Sequence, residues 1–210
     1  MSIIKDLDSL GNKEKAVILS RFFKTGKGQY GEGDLFLGIT VPDQRKLADK
    51  HKESSLKEIE ELLQSKIHEH RLTALLILVQ KYKEADEKNK KEIFDFYINN
   101  LKCVNNWDLV DLTAPNISGD FLNNKDKSIL YNLAKSENIW ERRTAIISTF
   151  NFIKTNKFED AFKISEILLE DKHDLIHKAV GWMLREIGKK DIKVLETFLN
   201  KYIRLCQEQC

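Results

Sequence analysis

Apolar residues recur along this chain at helical spacing. Ile176, Val180, Met183, Leu184 and Ile187 fall at i, i+4, i+7, i+8 and i+11, and Leu72, Leu75, Leu76, Val79 and Tyr82 follow a similar rhythm earlier, so each set lines one face of a helix. Period-two alternation is almost absent and only 2 prolines interrupt the pattern, which predicts an all-α protein. Shorter polar helices around Leu56–Gln64, Lys90–Asn99, Lys125–Lys135 and Phe158–Leu169 precede longer ones around Glu69–Tyr82, Asn106–Leu122, Ile139–Lys154 and Asp174–Gly188. The longer helices start at 69, 106, 139 and 174, hence 37, 33 and 35 residues apart. Two helices per repeat of that length is the mark of a HEAT- or armadillo-like solenoid, in which stacked pairs bury a continuous core. The expectation is a HEAT-like helical-repeat solenoid, a curved single domain over residues 1–210 with one row of helices on a concave face. An irregular helical bundle is the alternative.

Composition narrows the class. A chain that is 41% hydrophobic and 32% charged is globular rather than disordered. No apolar run reaches bilayer length, so no membrane-spanning helix is expected. Residues 1–15 alternate acids and lysines, unlike a signal or transit peptide, and the expected location is cytoplasmic. Three cysteines, Cys103, Cys206 and Cys210, do not make a disulfide framework. The net charge is only +2, so charge distribution matters more than the sum. Gly38–Lys52 holds 4 basic and 2 acidic residues, whereas Trp107–Leu122 carries Asp108, Asp111 and Asp120 and no base. Arg142, Arg143, Lys154, Lys178, Arg185 and Lys189 then follow. An acidic centre within basic flanks suits a site that does chemistry on a polyanion better than one that only holds it.

Several motifs have plain readings. Gly26-Lys-Gly-Gln-Tyr-Gly31 matches G-x-G-x-x-G, but it follows an amphipathic helix at Ala16–Phe23 and not a strand, so it reads as a loop and not as a nucleotide-cofactor site. His173-x3-His177 and Cys206-x3-Cys210 have helical spacing that suits zinc, yet His173 stands at a helix start and the cysteines in a terminal tail; no metal is expected. His68-Glu69-His70 is not H-E-x-x-H, and no nucleophile with its base and orienter is visible.

The tryptophans say more. Trp107, Trp140 and Trp182 are each read at or near the start of a helix-like segment, with Asp111, Arg143 and Arg185 about a turn later. At 100° per residue Trp182 lies about 160° from the Val180 stripe, on the face of Lys178, Arg185 and Lys189. Either a neighbouring repeat covers this indole, or indole and cations together face a sugar–phosphate backbone. Arg143 stands on an apolar flank with Ile139, Trp140, Ile146 and Ile147. Its guanidinium needs an anion, and Asp111, Glu141 and a phosphate are all candidates. Asp111 shares a helix face with Trp107, which fits a carboxylate beside a developing cation and equally an acid paired with Arg143.

Four stretches resemble one family. Gly38-Ile-Thr-Val-Pro-Asp-Gln-Arg45, Val104-Asn-Asn-Trp-Asp-Leu-Val-Asp111, Trp140-Glu-Arg-Arg-Thr-Ala-Ile146 and Ala179-Val-Gly-Trp-Met-Leu-Arg-Glu186 are similar, in order and over nearly the whole chain, to the AlkD-like DNA alkylation repair enzymes. The resemblance implies a HEAT-like arc that cradles duplex DNA and excises cationic N3- and N7-alkylated purines, such as 3-methyladenine and 7-methylguanine, without a base-flipping pocket. By position it implies Asp111, Trp107 and Trp182 as the catalytic cluster, Arg143 as the lesion-proximal arginine, and Arg185 and Arg45 as DNA contacts. Trp140, Lys154 and Lys178 join them as expected DNA-binding residues. Two departures stand out. Asn151 replaces a basic contact expected after Arg143, leaving Lys154 as its substitute, and the family's last helix is expected to be missing, so that the final repeat is incomplete.

An alkylated purine is already cationic and leaves as a neutral molecule, so no general acid is needed. What remains is to stabilise an oxocarbenium-like sugar and supply water. The expected partner is therefore alkylated duplex DNA, with no membrane, no cofactor and a monomeric protein. A catalytically silent HEAT-repeat scaffold that binds DNA or protein is the alternative.

Overall fold

The computed structural model describes residues 2–208, and these are helical apart from loops and one isolated bridge, Leu35 to Ile67. The chain divides into two compact units, residues 1–113 and 114–210. The first holds α1 (Ile3–Ser9), α2 (Lys13–Phe22), α3 (Val41–Lys50), α4 (Leu56–Leu63), α5 (His68–Glu84), α6 (Glu87–Asn99) and α7 (Trp107–Thr113). The second holds a π-helical turn (Pro115–Gly119), α8 (Asp120–Leu122), α9 (Ser128–Ala134), α10 (Ile139–Lys154), α11 (Glu159–Leu168), α12 (Asp174–Lys190) and α13 (Ile192–Glu208).

The expected short–long pairs are present as α4 with α5, α9 with α10 and α11 with α12, and the long helices begin within one residue of their expected positions. Local sequence sets several starts. Ser55 and Glu58 form a reciprocal capping box on α4. Asn12, Asp86, Asn138 and His173 each accept an early backbone N–H of their helices. The segment expected as one helix over Asn106–Leu122 ends as α7 at Thr113, and Pro115 then opens the π turn. Proline has no N–H to donate and crowds the carbonyl four residues back, and a π turn accommodates both defects.

Each unit is built around one long helix. In the first, α5 packs on α1, α3, α4, α6 and α7; in the second, α10 packs on the π turn, α8, α9, α11 and α12. Both are buried on nearly every side, with Leu75, Ile77 and Leu78 of α5 and Ala145, Ile146 and Ile147 of α10 fully enclosed. Gly119 permits the closest approach in the second unit, since a Cβ there would lie 2.4 Å from the Ser148 carbonyl oxygen. Asn151, found where a basic contact was expected, donates to the Pro115 carbonyl at 3.4 Å and ties down the π turn.

Beyond the last expected helix, α12, the structure adds α13. Val194, Phe198 and Tyr202 recur at i, i+4 and i+8, and Phe198 stacks on Phe162 of α11 at 4.4 Å. Lys201 adds an ion pair to Glu166 at 2.9 Å. The side chains of Cys206 and Cys210 lie outside the described ones.

Candidate nucleic-acid interface and active site

In the first unit the site grows from the start of α5. Four consecutive ionisable residues, His68, Glu69, His70 and Arg71, are buried there, at 2%, 1%, 4% and 3% exposure. Burying such groups is costly unless every one is paired, and each has a distinct partner set. Glu69 accepts three backbone N–H groups, from Leu37 at 2.9 Å, Gly38 at 2.8 Å and Ile39 at 3.2 Å. Gly38 has φ +84°, and a Cβ there would meet the Asn12 carbonyl oxygen at 2.1 Å, so only glycine fits where this segment crosses the α2 N-terminus. Arg71 donates to Asp34 Oδ1 and to the Ser65 carbonyl, both at 2.7 Å. The Leu35 and Ile67 backbones join through Leu35 N–H to the Lys66 carbonyl and His68 N–H to the Leu35 carbonyl. His70 lies 3.0 Å from Ser65 Oγ, and burial pushes its imidazole below the usual histidine range despite Asp8 nearby.

His68 stands between two carboxylates. Its Nε2 is 2.8 Å from Asp108 Oδ2 of α7 and its Nδ1 is 3.4 Å from Asp34 Oδ2. Burial opposes the charged imidazole, but the hydrogen bonds to Asp108 and Asp34 outweigh it and raise its pKa to about 9, so the ring is a cation at neutral pH. Asp34 is shifted down: burial acts against its charge, and the His68 hydrogen bond with the Arg71 charge overcomes it.

Beside this network α7 begins. Asn106 Oδ1 accepts the Trp107 N–H at 2.9 Å, and Asp108 Oδ1 accepts that of Leu109 at 2.9 Å. The half-buried Trp107 ring stacks on Phe23 at 5.1 Å with 22° between planes and meets the Phe22 edge at 5.8 Å. Phe36 stacks on both Phe23 and His68, at 5.2 Å and 4.7 Å. These rings wall a cavity of about 510 Å³ that Trp107, Asp108, Asp111 and His68 also line. Large apolar groups stand exposed at it, Ile18 at 64% and Phe22 at 61%, which is unusual without a ligand face. Trp107 and Asp111 are thus brought to one cavity. Arg45 is exposed on α3 and does not line it.

In the second unit, Trp182 of α12 is half-buried, 5.8 Å from the Phe150 ring of α10. Its Nε1–H donates to Glu186 at 3.2 Å, and Glu186 in turn pairs with Lys189 at 2.7 Å and approaches Arg185 at 3.9 Å. Lys154 lies over Phe150 at 4.5 Å. Trp182, Arg185 and Lys154 therefore share one aromatic and basic surface, and exposed Lys178 pairs with Asp174 at 2.7 Å one turn before Trp182. Trp140 and Arg143, expected to contact DNA, are instead enclosed, at 7% and 5% exposure. The Arg143 guanidinium donates to the Leu175 carbonyl, the backbone of α12. A sequence shows only that this arginine stands on an apolar flank, and α12 is what covers it.

Sequence reasoning missed His68, Asp34, Arg71 and Glu69 as members of the site, and Phe150 and Glu186 as companions of Trp182. Glu186 was readable, being four residues after Trp182 on the same face. A run of four ionisable residues opening a helix whose middle, Ala74–Val79, is wholly apolar was a further signal. The G-x-G-x-x-G stretch is a loop after α2 in which the Gly28 N–H is taken by Glu32 at 2.7 Å. His173 caps α12 through Nδ1, which accepts the Leu175 N–H. Among the described residues no helix is long and apolar enough to cross a membrane, and no group of three metal-ligating side chains is found.

A search of curated proteins returned no match. Solved structures of similar fold include a "Predicted DNA alkylation repair enzyme" from Enterococcus faecalis, at 20% identity and TM-score 0.70 over 91% of this chain and 89% of that one. AlkD2 from Streptococcus mutans is similar at 22% identity and TM-score 0.55, with 90% and 88% covered. The smu.31 protein of Streptococcus mutans UA159 gives 22% and 0.54, with 90% and 89% covered. At these identities the likeness speaks for the all-helical fold. The model of the DNA alkylation repair enzyme family matches residues 3–208, and the chain belongs to that family.

Proposed function

We propose that this protein is an alkylpurine DNA glycosylase acting on cationic N3- and N7-alkylated purines in duplex DNA. The observation that carries the reading is the convergence of Asp111 and Trp107, one helical turn apart on α7, on a single aromatic-walled cavity. The C1′–N bond breaks with its electron pair going to the base, which leaves neutral. Positive charge develops on the deoxyribose, where the Asp111 carboxylate stabilises it and the Trp107 face favours it. Water adds at C1′ and gives up a proton, for which Asp111 is the acceptor. In the second unit, Trp182 offers an indole face for sugar, and Arg185, Lys178 and Lys154 offer cations for phosphates; Arg45 does so from α3. The reading takes DNA as the partner of a monomeric, cytoplasmic protein that needs no cofactor.

The test is Asp111→Asn, followed by chromatography of 7-methylguanine released from methylated duplex DNA. Release is expected to fall about a hundredfold or more, as when one preorganised catalytic group is removed, while duplex affinity stays within about threefold. Wild-type protein that binds duplex and releases no base would point to a silent scaffold. Equal loss of release and binding would make Asp111 structural.

A further inference from the structure

We propose that His68 is the positioning residue for the catalytic helix, holding Trp107 and Asp111 at the cavity through Asp108 and Phe23. The inference rests on the reading of Asp111 and Trp107 just given and goes beyond it, because His68 itself does no chemistry on DNA.

Two separate routes run from His68 to α7. One is polar: the Nε2 contact at 2.8 Å to Asp108, which neighbours Trp107 in sequence and lies one turn before Asp111. The other is aromatic: the imidazole lies 4.9 Å from the Phe23 ring, which stacks on Trp107 at 5.1 Å. On its far side His68 reaches Asp34, which Arg71 anchors to α5 at 2.7 Å. Asp108 faces His68 from α7, Asp34 from the loop before α3, and Arg71 from the next turn of α5, so the imidazolium is balanced by carboxylates from two elements. A core residue needed only for packing would be apolar, because a buried ion pair adds little stability over hydrophobic side chains of the same volume. What buried charges do supply is fixed geometry, since a cation shared by two acids tolerates little sliding of either. α7 has seven residues and one turn separates its two functional side chains, so a small shift at Asp108 is passed on to both. Displacements on the order of 1 Å cost about a hundredfold in catalysis.

Two readouts test this on the full-length protein. In the first, 5-fluorotryptophan is incorporated and the three indoles are followed by ¹⁹F NMR from pH 6 to 10, assigned by single Trp→Phe variants. The Trp107 resonance is expected to titrate with a midpoint near 9, as His68 loses its proton, and those of Trp140 and Trp182 to stay level. In the second, His68→Gln keeps a hydrogen-bond donor toward Asp108 without the charge. Its kcat for base release is expected to drop at least tenfold with KM within twofold, and the alkaline fall in the wild-type rate near pH 9 is expected to disappear. A Trp107 signal that does not titrate overturns the proposal, as does a folded His68→Gln protein with wild-type kcat and pH profile. If the wild-type protein releases no base, the glycosylase reading fails and the NMR titration alone decides the role of His68. If His68→Gln does not fold, the wild-type titration again decides.

Discussion

Glu69 gives the sharpest test of how the first unit is held together. The side chain is 1% exposed, and its two oxygens accept the N–H groups of Leu37, Gly38 and Ile39. Glu69→Ala removes the acceptor and leaves three donors without it, those of Gly38 and Ile39 buried and that of Leu37 half-buried. Each stranded donor costs about 1–3 kcal/mol, and bonds to a charged acceptor lie toward the upper end. Neighbouring donors relax together and the costs do not add fully, so a loss of about 4 kcal/mol is expected, a large part of the 5–15 kcal/mol typical of a folded domain. Glu69→Gln should be milder. Its oxygen can serve Gly38 and Ile39, as Oε1 does now, while its NH₂ opposes the Leu37 N–H, for about 2 kcal/mol. Urea unfolding followed by circular dichroism measures both losses, and hydrogen exchange of the three amides localises them. An alanine variant within about 1 kcal/mol of wild type, or unchanged exchange at Gly38, would refute the cradle as an organising contact.

Three further predictions concern charged groups. The folded His68 pKa is raised from 6.5 to about 9, so its contribution is complete below pH 6.5 and is lost as pH rises through 9; that rise corresponds to at most about 3 kcal/mol. Urea midpoints measured from pH 6 to 10 should decline along this course in wild type and not in His68→Gln. In the second unit, Arg185→Ala should weaken duplex binding and lower the slope of log K against log salt by about 1, the signature of one lost phosphate contact. Arg143→Ala should instead lower the thermal midpoint by several degrees, because the guanidinium braces α12 from within. An unchanged midpoint with a shallower salt slope would return Arg143 to the DNA-facing set.

Much of the architecture was legible in the residues. Helical periodicity and the regular spacing of long helices are local properties, set by which side chains must leave water every three or four positions, and they placed α5, α7, α10 and α12 within one residue of their starts. The joint placement of Trp107 and Asp111 was legible for the same reason, being a spacing of four on one helix. The break at Pro115 was legible but went unread: proline cannot continue the ladder, yet the expected helix ran through it to Leu122. Missing α13 was a failure to read a stripe that is present at Val194, Phe198 and Tyr202.

Tertiary structure alone decided the rest, because burial depends on what a neighbouring element covers. The sequence puts Arg143 and Trp140 on an apolar flank, and only the packed second unit shows both of them buried. His68, Glu69 and Arg71 look like an ordinary polar helix start until the 34–40 loop and α7 supply their acids and amides. Asp34 and Asp108 are distant in sequence and share one imidazole only through the fold. Pairings of that kind span dozens of residues, so no period along the chain records them, and they appear only once the long helices have packed.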